Sequence, residues 1–156
     1  MGVGSKPQQA SQLKIDVGCG GRKVSPEYLG LDLRKLTGID IVASAAALPF
    51  KNESLAEVYT RRCIQHIKDD EKVISEFHRV LQKDGKATFI LASWTGWFFF
   101  KLRWLFRKKP YTIFNLYTFK KLSRLFKKHE FSIISIGKIK STRGIGYDII
   151  AESNKS

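Results

Sequence analysis

The stretch 13–32, LKIDVGCGGRKVSPEYLGLD, limits the folds open to this chain more than any other. Leu13, Ile15 and Val17 put apolar side chains at alternate positions, the period of a strand. The run breaks into Gly18-Cys19-Gly20-Gly21, where glycine lets the backbone turn tightly and approach a ligand with no Cβ in the way. A second apolar run, Tyr28 to Leu33, carries Asp32 near its end. Strand, glycine turn, strand and strand-end carboxylate, in that order, is how an open α/β sheet holds the adenosine part of a cofactor. A G-x-G-x-x-G pattern is incomplete here, because no glycine lies at positions 22 to 29. Asp32 follows Gly18 by 14 residues, short of the ~20 of a dinucleotide fingerprint. Only Arg22 to Glu27, with Pro26 among them, separates the glycines from the second strand, so a single turn fits there and a full crossover helix does not.

The following residues continue a sheet. Ile39 to Ala43 reads as a third strand, and Pro49 stops any helix begun in the alanines of Ser44-Ala45-Ala46-Ala47. After the polar turn Lys51 to Ser54, Leu55 to Thr60 reads as a fourth strand, leading into Arg61 and Arg62. Asp69 and Asp70 mark a helix start, and Val73, Ile74, Phe77, Val80 and Leu81 recur at helical spacing until Lys83-Asp84-Gly85. Ala87 to Ala92 is apolar enough for a strand buried on both faces. Thr118 caps a further helix with the apolar stripe Phe119, Leu122, Leu125 and Phe126, and Lys120, Lys121, Arg124, Lys127 and Lys128 outside it. Phe131 to Ile139 and Ile145 to Ala151, joined by the turn Ser141 to Gly144, read as an antiparallel pair. The pattern predicts one α/β domain over 13–152, doubly wound, whose mainly parallel sheet of about seven strands ends in an antiparallel C-terminal edge. A loose polar N-terminus, 1–12, precedes it.

Composition narrows the setting. At 156 residues, 43% of them hydrophobic, the chain suits one globular core. Two cysteines, Cys19 and Cys63, are too few for a disulfide scaffold and have no cluster of metal ligands beside them, which points to a reducing, cytoplasmic compartment. Gly2 does not make a myristoylation site, because Lys6 stands where Ser or Thr is needed. No apolar run approaches the ~20 residues of a membrane span. The net charge of +14 is unevenly spread: residues 97–156 hold 14 basic and 3 acidic side chains, and none of 97–128 is acidic. That asymmetry points to a polyanionic partner, either an anionic membrane surface, nucleic acid or a phosphorylated substrate.

Trp94 to Lys109, WTGWFFFKLRWLFRKK, opens a basic aromatic insert spanning 94–116. Its charges do not gather on one side of a helical wheel, but basic side chains can snorkel while aromatic ones sit at a lipid interface. Its place after the fifth strand puts it over the substrate side as a lid or membrane-facing flap. Stacking on nucleic-acid bases fits less well, since the aromatic residues are contiguous.

In sum, the middle of the chain resembles class I S-adenosylmethionine-dependent methyltransferases. LKIDVGCG resembles the first motif, Leu48-Pro49-Phe50 the segment after the third strand, VYTRRCIQHI the fourth strand and its loop, and RVLQKDG the Arg-Val-Leu-Lys-Pro-Gly-Gly of that family. The resemblance implies S-adenosylmethionine as cofactor. Gly18, Cys19 and Gly20 would line its methionine and ribose portion, Asp16 its amino end, Asp32 the ribose hydroxyls, and Ser44 and Ala45 the adenine edge. Thr60, Arg61, Arg62 and Trp94 would stand toward the acceptor. Ser44 replaces an Asp of the family pattern, Gln65 a Glu, Ala56 an Asp and Asp84 the Pro.

Methyl transfer from a sulfonium asks the protein mainly to align a nucleophile, so neither a triad nor a metal is expected. His66, just past the fourth strand, is the candidate base where the acceptor must lose a proton. His78 and His129 are expected on helix surfaces. Two adjacent arginines suit a carboxylate or phosphate on a small-molecule or lipid-linked acceptor. The readings set against this one are a non-catalytic module that binds through the basic aromatic face, which Ser44 and Gln65 motivate, and an RNA methyltransferase.

Overall fold

The computed structural model describes residues 12–92, 112–140 and 147–155. Within them the chain forms β1 (Lys14–Val17), β2 (Leu29–Asp32), β3 (Ile41–Val42), β4 (Leu55–Arg61), α1 (Asp70–Val80), β5 (Leu81–Ala92), α2 (Phe119–Lys128), β6 (Phe131–Lys140) and β7 (Tyr147–Lys155). The seven strands make one sheet in the order β3-β2-β1-β4-β5-β7-β6. β1 to β5 pair in parallel and β7 runs antiparallel to both β5 and β6, as the sequence predicts. The expected N-terminal segment, all of the basic aromatic insert before Thr112, Trp94 included, and the turn Ser141 to Gly144 lie outside the described residues.

Strand register explains where the core sits. Ile15 lies opposite Val58 and Val58 opposite Ala87, while Val17, Thr60 and Phe89 form the next row. All six are fully buried. The Phe89 ring contacts Phe77 of α1 at 5.8 Å and Phe126 of α2 at 4.9 Å, so both helices pack on this one face. The alternate row, Lys14, Glu57 and Lys86, faces the other way, with Lys14 paired to Glu57 and Lys86 to Glu152 of β7. Period-2 alternation thus separates an apolar face under the helices from a charged one.

Both helices begin where capping chemistry places them. Asp69 accepts the Lys72 amide and Thr118 accepts that of Lys121. The apolar face of α1, Val73, Ile74, Phe77 and Val80, is buried, as are Leu122, Leu125 and Phe126 of α2. Three details differ from the sequence reading. α1 ends at Val80, ahead of Lys83, because Leu81 already joins the sheet opposite Leu55. Phe119 is exposed, lying one position before the inward arc of its helix. His78 and His129 are half-buried: the His78 ring packs edge-on against Phe131 at 5.3 Å, and the Nε2 atom of each is buried.

Arg79 fastens the polar loop before β4. Its guanidinium donates to the carbonyls of Leu48 (3.1 Å) and Phe50 (2.9 Å), to Asn52 Oδ1 (2.9 Å) and to Glu76, which also accepts the Leu48 amide. A planar five-donor group can bridge these acceptors at once, and an ammonium cannot. Arg79→Ala should lower the free energy of unfolding by about 2 to 3 kcal/mol in urea titrations, and Arg79→Lys should recover less than half of the loss.

Candidate functional site

Open parallel sheets place their ligands beyond the carboxyl ends of the strands, where the chain order reverses. Here β1 lies between β2 and β4, so the residues that follow β1, β2, β3 and β4 share one edge. Gly18 to Gly21, Asp32, Ser44 with Ala45, and Arg61 all fall at that edge.

The glycine turn is shaped by two carboxylates. Asp16 is only 2% exposed, and its Oδ2 accepts the Val24 amide at 2.7 Å, which pins the short β1–β2 connection in place of a helix. Its Oδ1 is buried with no partner among the described residues. Burial pushes the Asp16 carboxyl up to about 6, against the opposing pull of the Val24 amide and the Arg61 charge. Asp32 at the end of β2 accepts the Gly20 amide at 3.0 Å on Oδ2, and the Arg34 amide (3.0 Å) and Nε (3.2 Å) on Oδ1. Burial of Asp32 acts to raise its pKa, but those donors outweigh it and hold the carboxyl below its ordinary value.

Gly18 has φ +72°, and a Cβ there would stand 2.3 Å from Cys63 Sγ and 2.4 Å from Cys63 Cβ, so both conformation and space demand glycine. Cys63 therefore packs on the turn, a role that sequence spacing does not show. Burial pushes its thiol up to about 12, with the Asp32 and Asp16 charges acting the same way, which keeps it an inert thiol at neutral pH. Cys19 is half-buried with its sulfur toward Gly30, and its thiol is likewise raised by burial.

On β3's side, Ser44 Oγ accepts the Ala46 amide at 3.2 Å, and Ala45 is buried. On the β4 side the predicted residues divide. Thr60 is fully buried and donates its hydroxyl to the Val17 carbonyl at 3.0 Å, tying β4 to β1. Arg61 is exposed at the strand end. Arg62 turns at φ +55° and directs Nε to Asp148 of β7 at 3.0 Å, so this guanidinium serves an ion pair with the strand beyond β5. His66 ends the short 3-10 turn Ile64–His66. Its Nδ1 lies 2.7 Å from the Thr112 carbonyl oxygen, which can only accept, so Nδ1 carries a proton toward it.

Gln65 is the residue whose importance the sequence hides. It is buried, its Oε1 accepts the Ala92 amide at 2.9 Å, and its carbonyl oxygen accepts the amides of Phe114 (2.9 Å) and Asn115 (3.2 Å). One residue thus holds the end of β5 and the segment leading to α2 beside His66. Asn115 Nδ2 donates to the Ile67 carbonyl, and Tyr117 donates its hydroxyl to Asp70 at 3.0 Å, completing the attachment. No spacing signal marks these contacts, because their partners lie 27 and 47 to 50 positions away.

The profile of a family described as a methyltransferase domain matches residues 40–89. An S-adenosylmethionine-dependent methyltransferase from Methanosarcina mazei superposes with a TM-score of 0.68 at 18% identity, covering 95% of this chain and 94% of its own. The 1,6-didemethyltoxoflavin-N1-methyltransferase of Burkholderia thailandensis, solved with 1,6-didemethyltoxoflavin and S-adenosylhomocysteine, gives 0.70 at 11% identity over 94% of this chain and 72% of its own. The geranyl diphosphate C-methyltransferase of Streptomyces coelicolor A3(2), solved with Mg2+, geranyl diphosphate and S-adenosylhomocysteine, gives 0.70 at 11% identity over 94% and 73%. The fold is that of class I S-adenosylmethionine-dependent methyltransferases.

Asp16 yields a test of the site's electrostatics. Its folded-state value of about 6 lies above the ordinary 3.8, so between those pH values the folded protein holds the extra proton. Stability therefore falls as pH rises through that window. Asp16→Asn should gain on the native chain by about 3 kcal/mol between the ordinary carboxylate range and neutral pH, read as the change in their stability difference in urea titrations.

Proposed function

We propose that this protein is an S-adenosylmethionine-dependent methyltransferase whose acceptor is anionic or presented at an anionic surface. The observation that carries the reading is the buried Asp16 carboxylate, ionised at neutral pH with one oxygen unpartnered among the described residues, next to a glycine turn and to Asp32. A buried acid oxygen without a donor is costly, and a cationic ligand group is what would satisfy it. The residues present fit the cofactor. Asp16 would take its amino group, and Gly18, Cys19 and Gly20 would face its methionine and ribose portion. Asp32 would take the ribose hydroxyls, because the Arg34 Nε bond belongs to an exposed side chain that can exchange with a ligand hydroxyl. Ser44 and Ala45 would stand at the adenine edge.

When bound, the cofactor supplies a methyl group already activated on a sulfonium. The protein's own work is alignment and exclusion of water. Arg61, exposed at the end of β4, would attract an acceptor carboxylate or phosphate. His66, with its tautomer set by Thr112, would take a proton at Nε2 where the acceptor must lose one. The reading of a non-catalytic module with this fold is supported by Ser44 and Gln65, whose oxygens accept backbone amides of the chain itself.

Calorimetric titration of S-adenosylmethionine tests the assignment. Saturable binding that Asp32→Ala weakens by tenfold or more, about 1.4 kcal/mol, is expected, and absence of binding by the native chain at millimolar cofactor would overturn it. Binding should also weaken as pH falls below about 6, because the cationic ligand favours ionised Asp16 and protonation competes with it. In Asp16→Asn that pH dependence should be lost.

A further inference from the structure

α2 carries five cations, and the structure sorts them into two kinds. Lys121 pairs with Asp70 at 3.2 Å and Lys128 with Glu71 at 2.5 Å, so the two acids in the first turn of α1 are taken up in holding the helices together. Lys120, Arg124 and Lys127 stand on the opposite arc, at i, i+4 and i+7, and all three are exposed. Leu122, Leu125 and Phe126 are the buried residues of the same helix, so the three cations point directly away from the core. None of them has an acidic partner among the described residues. Two large apolar side chains near the start of the helix are left in solvent: Phe119, its first residue, is 41% exposed, and Phe114, five residues earlier, is 54% exposed.

We infer that the outer face of α2 docks the protein on an anionic phospholipid bilayer. Three unpaired cations in one row, spanning ~10 Å of helix, repel one another and lower no energy within the fold. An anionic surface neutralises all three at once. The exposed phenylalanines at the start of the helix favour lipid over nucleic acid, because apolar rings on a cationic element can enter the headgroup boundary, whereas two rings at one end form no platform for successive bases. The surrounding charge agrees, since the segment 97–128 contains no acidic residue. The surface is also next to the candidate site. Asn115 bonds to the Ile67 carbonyl and Tyr117 to Asp70, which fixes the first turn of α2 beside the loop that carries His66. Docking by this face would therefore hold the site at the membrane surface. This deepens the proposed function by naming where an acceptor is met, and it rests on that reading only for the word acceptor.

Co-sedimentation tests it with vesicles of phosphatidylcholine alone and of phosphatidylcholine mixed equally with phosphatidylglycerol. The native chain should bind the mixed vesicles and not the neutral ones, with affinity falling as salt rises. Lys120→Gln, Arg124→Gln and Lys127→Gln together should weaken binding roughly 100-fold, the loss expected of three near-surface cations. Phe119→Ser should weaken it further. Lys35→Gln, Lys51→Gln and Lys83→Gln together remove the same net charge from exposed positions elsewhere, and should leave binding within about threefold if the patch rather than net charge decides. Calorimetric binding of S-adenosylmethionine to the α2 variant should match the native chain, which shows that it is folded and separates this outcome from failure of the cofactor assignment. Absence of binding to mixed vesicles, equal losses in the two triple variants, or unchanged binding by the α2 variant would each overturn the inference. So would single-stranded RNA that binds more tightly than vesicles and loses its binding in the α2 variant.

Discussion

Two strand-end carboxylates hold the backbone of the site in place. Asp16 takes the Val24 amide and Asp32 takes those of Gly20 and Arg34, so the turn after β1 and the connection to β2 are shaped by acids reaching back to main-chain donors. This is why a parallel pair of strands can be joined here by eleven residues without a helix. The arrangement has a consequence for charge. Asp32 is stabilised as a carboxylate by several donors, whereas Asp16 has one and is buried, so neighbouring acids of the same kind differ in how readily they ionise. A fold gains nothing from an ionised, half-satisfied acid in its interior, and such groups concentrate at sites that bind something.

The second half of the chain is fastened to that site by a different device. Gln65 accepts three backbone amides through two oxygens, and they come from the end of β5 and from the segment before α2. A neutral amide suits the position because its partners among the described residues are all backbone donors. Tyr117, Asp70 and Lys121 then join the starts of α1 and α2. Burial of the Tyr117 hydroxyl, with the Asp70 charge and hydrogen bond beside it, holds it well above its ordinary range, so it stays able to donate across the physiological pH range. Across β5, the Arg62 pair with Asp148 ties the loop after β4 to β7. The loop from Arg61 to Lys68 is thereby held from several sides, and it is the loop on which His66 and Arg61 depend for their positions.

Much of the fold was legible because its signals are local and periodic. The alternation in β1 and β4, the helical spacing of Val73, Ile74 and Phe77, and the Asp69 and Thr118 caps each follow from a few neighbouring residues. Errors came where a neighbour in space outweighed the local pattern. α1 stops before Lys83 because Leu81 is taken by the sheet, and His78 is half-buried because Phe131 of β6 meets it. In the candidate site, Gly18, Gly20 and Asp32 could be named from order and chemistry, whereas Asp16 came from the family resemblance. Arg62 and Thr60 could be named but not assigned, because an exposed-looking cation and hydroxyl gave no hint that Asp148 and the Val17 carbonyl would receive them.

Sequence alone determined the class of fold, the edge of the sheet at which ligands collect, and the imbalance of charge toward the C-terminal half. Those properties rest on residue type and short spacing, which tertiary contacts do not alter. Only the tertiary structure decided which polar groups are used up inside the fold and which are left over. Cys63 packs on Gly18, Gln65 binds Ala92, and two of the five cations of α2 pair with α1 while three do not. The physical reason is that pairing depends on distance in space between residues far apart in the chain, and a one-dimensional pattern carries no measure of that distance.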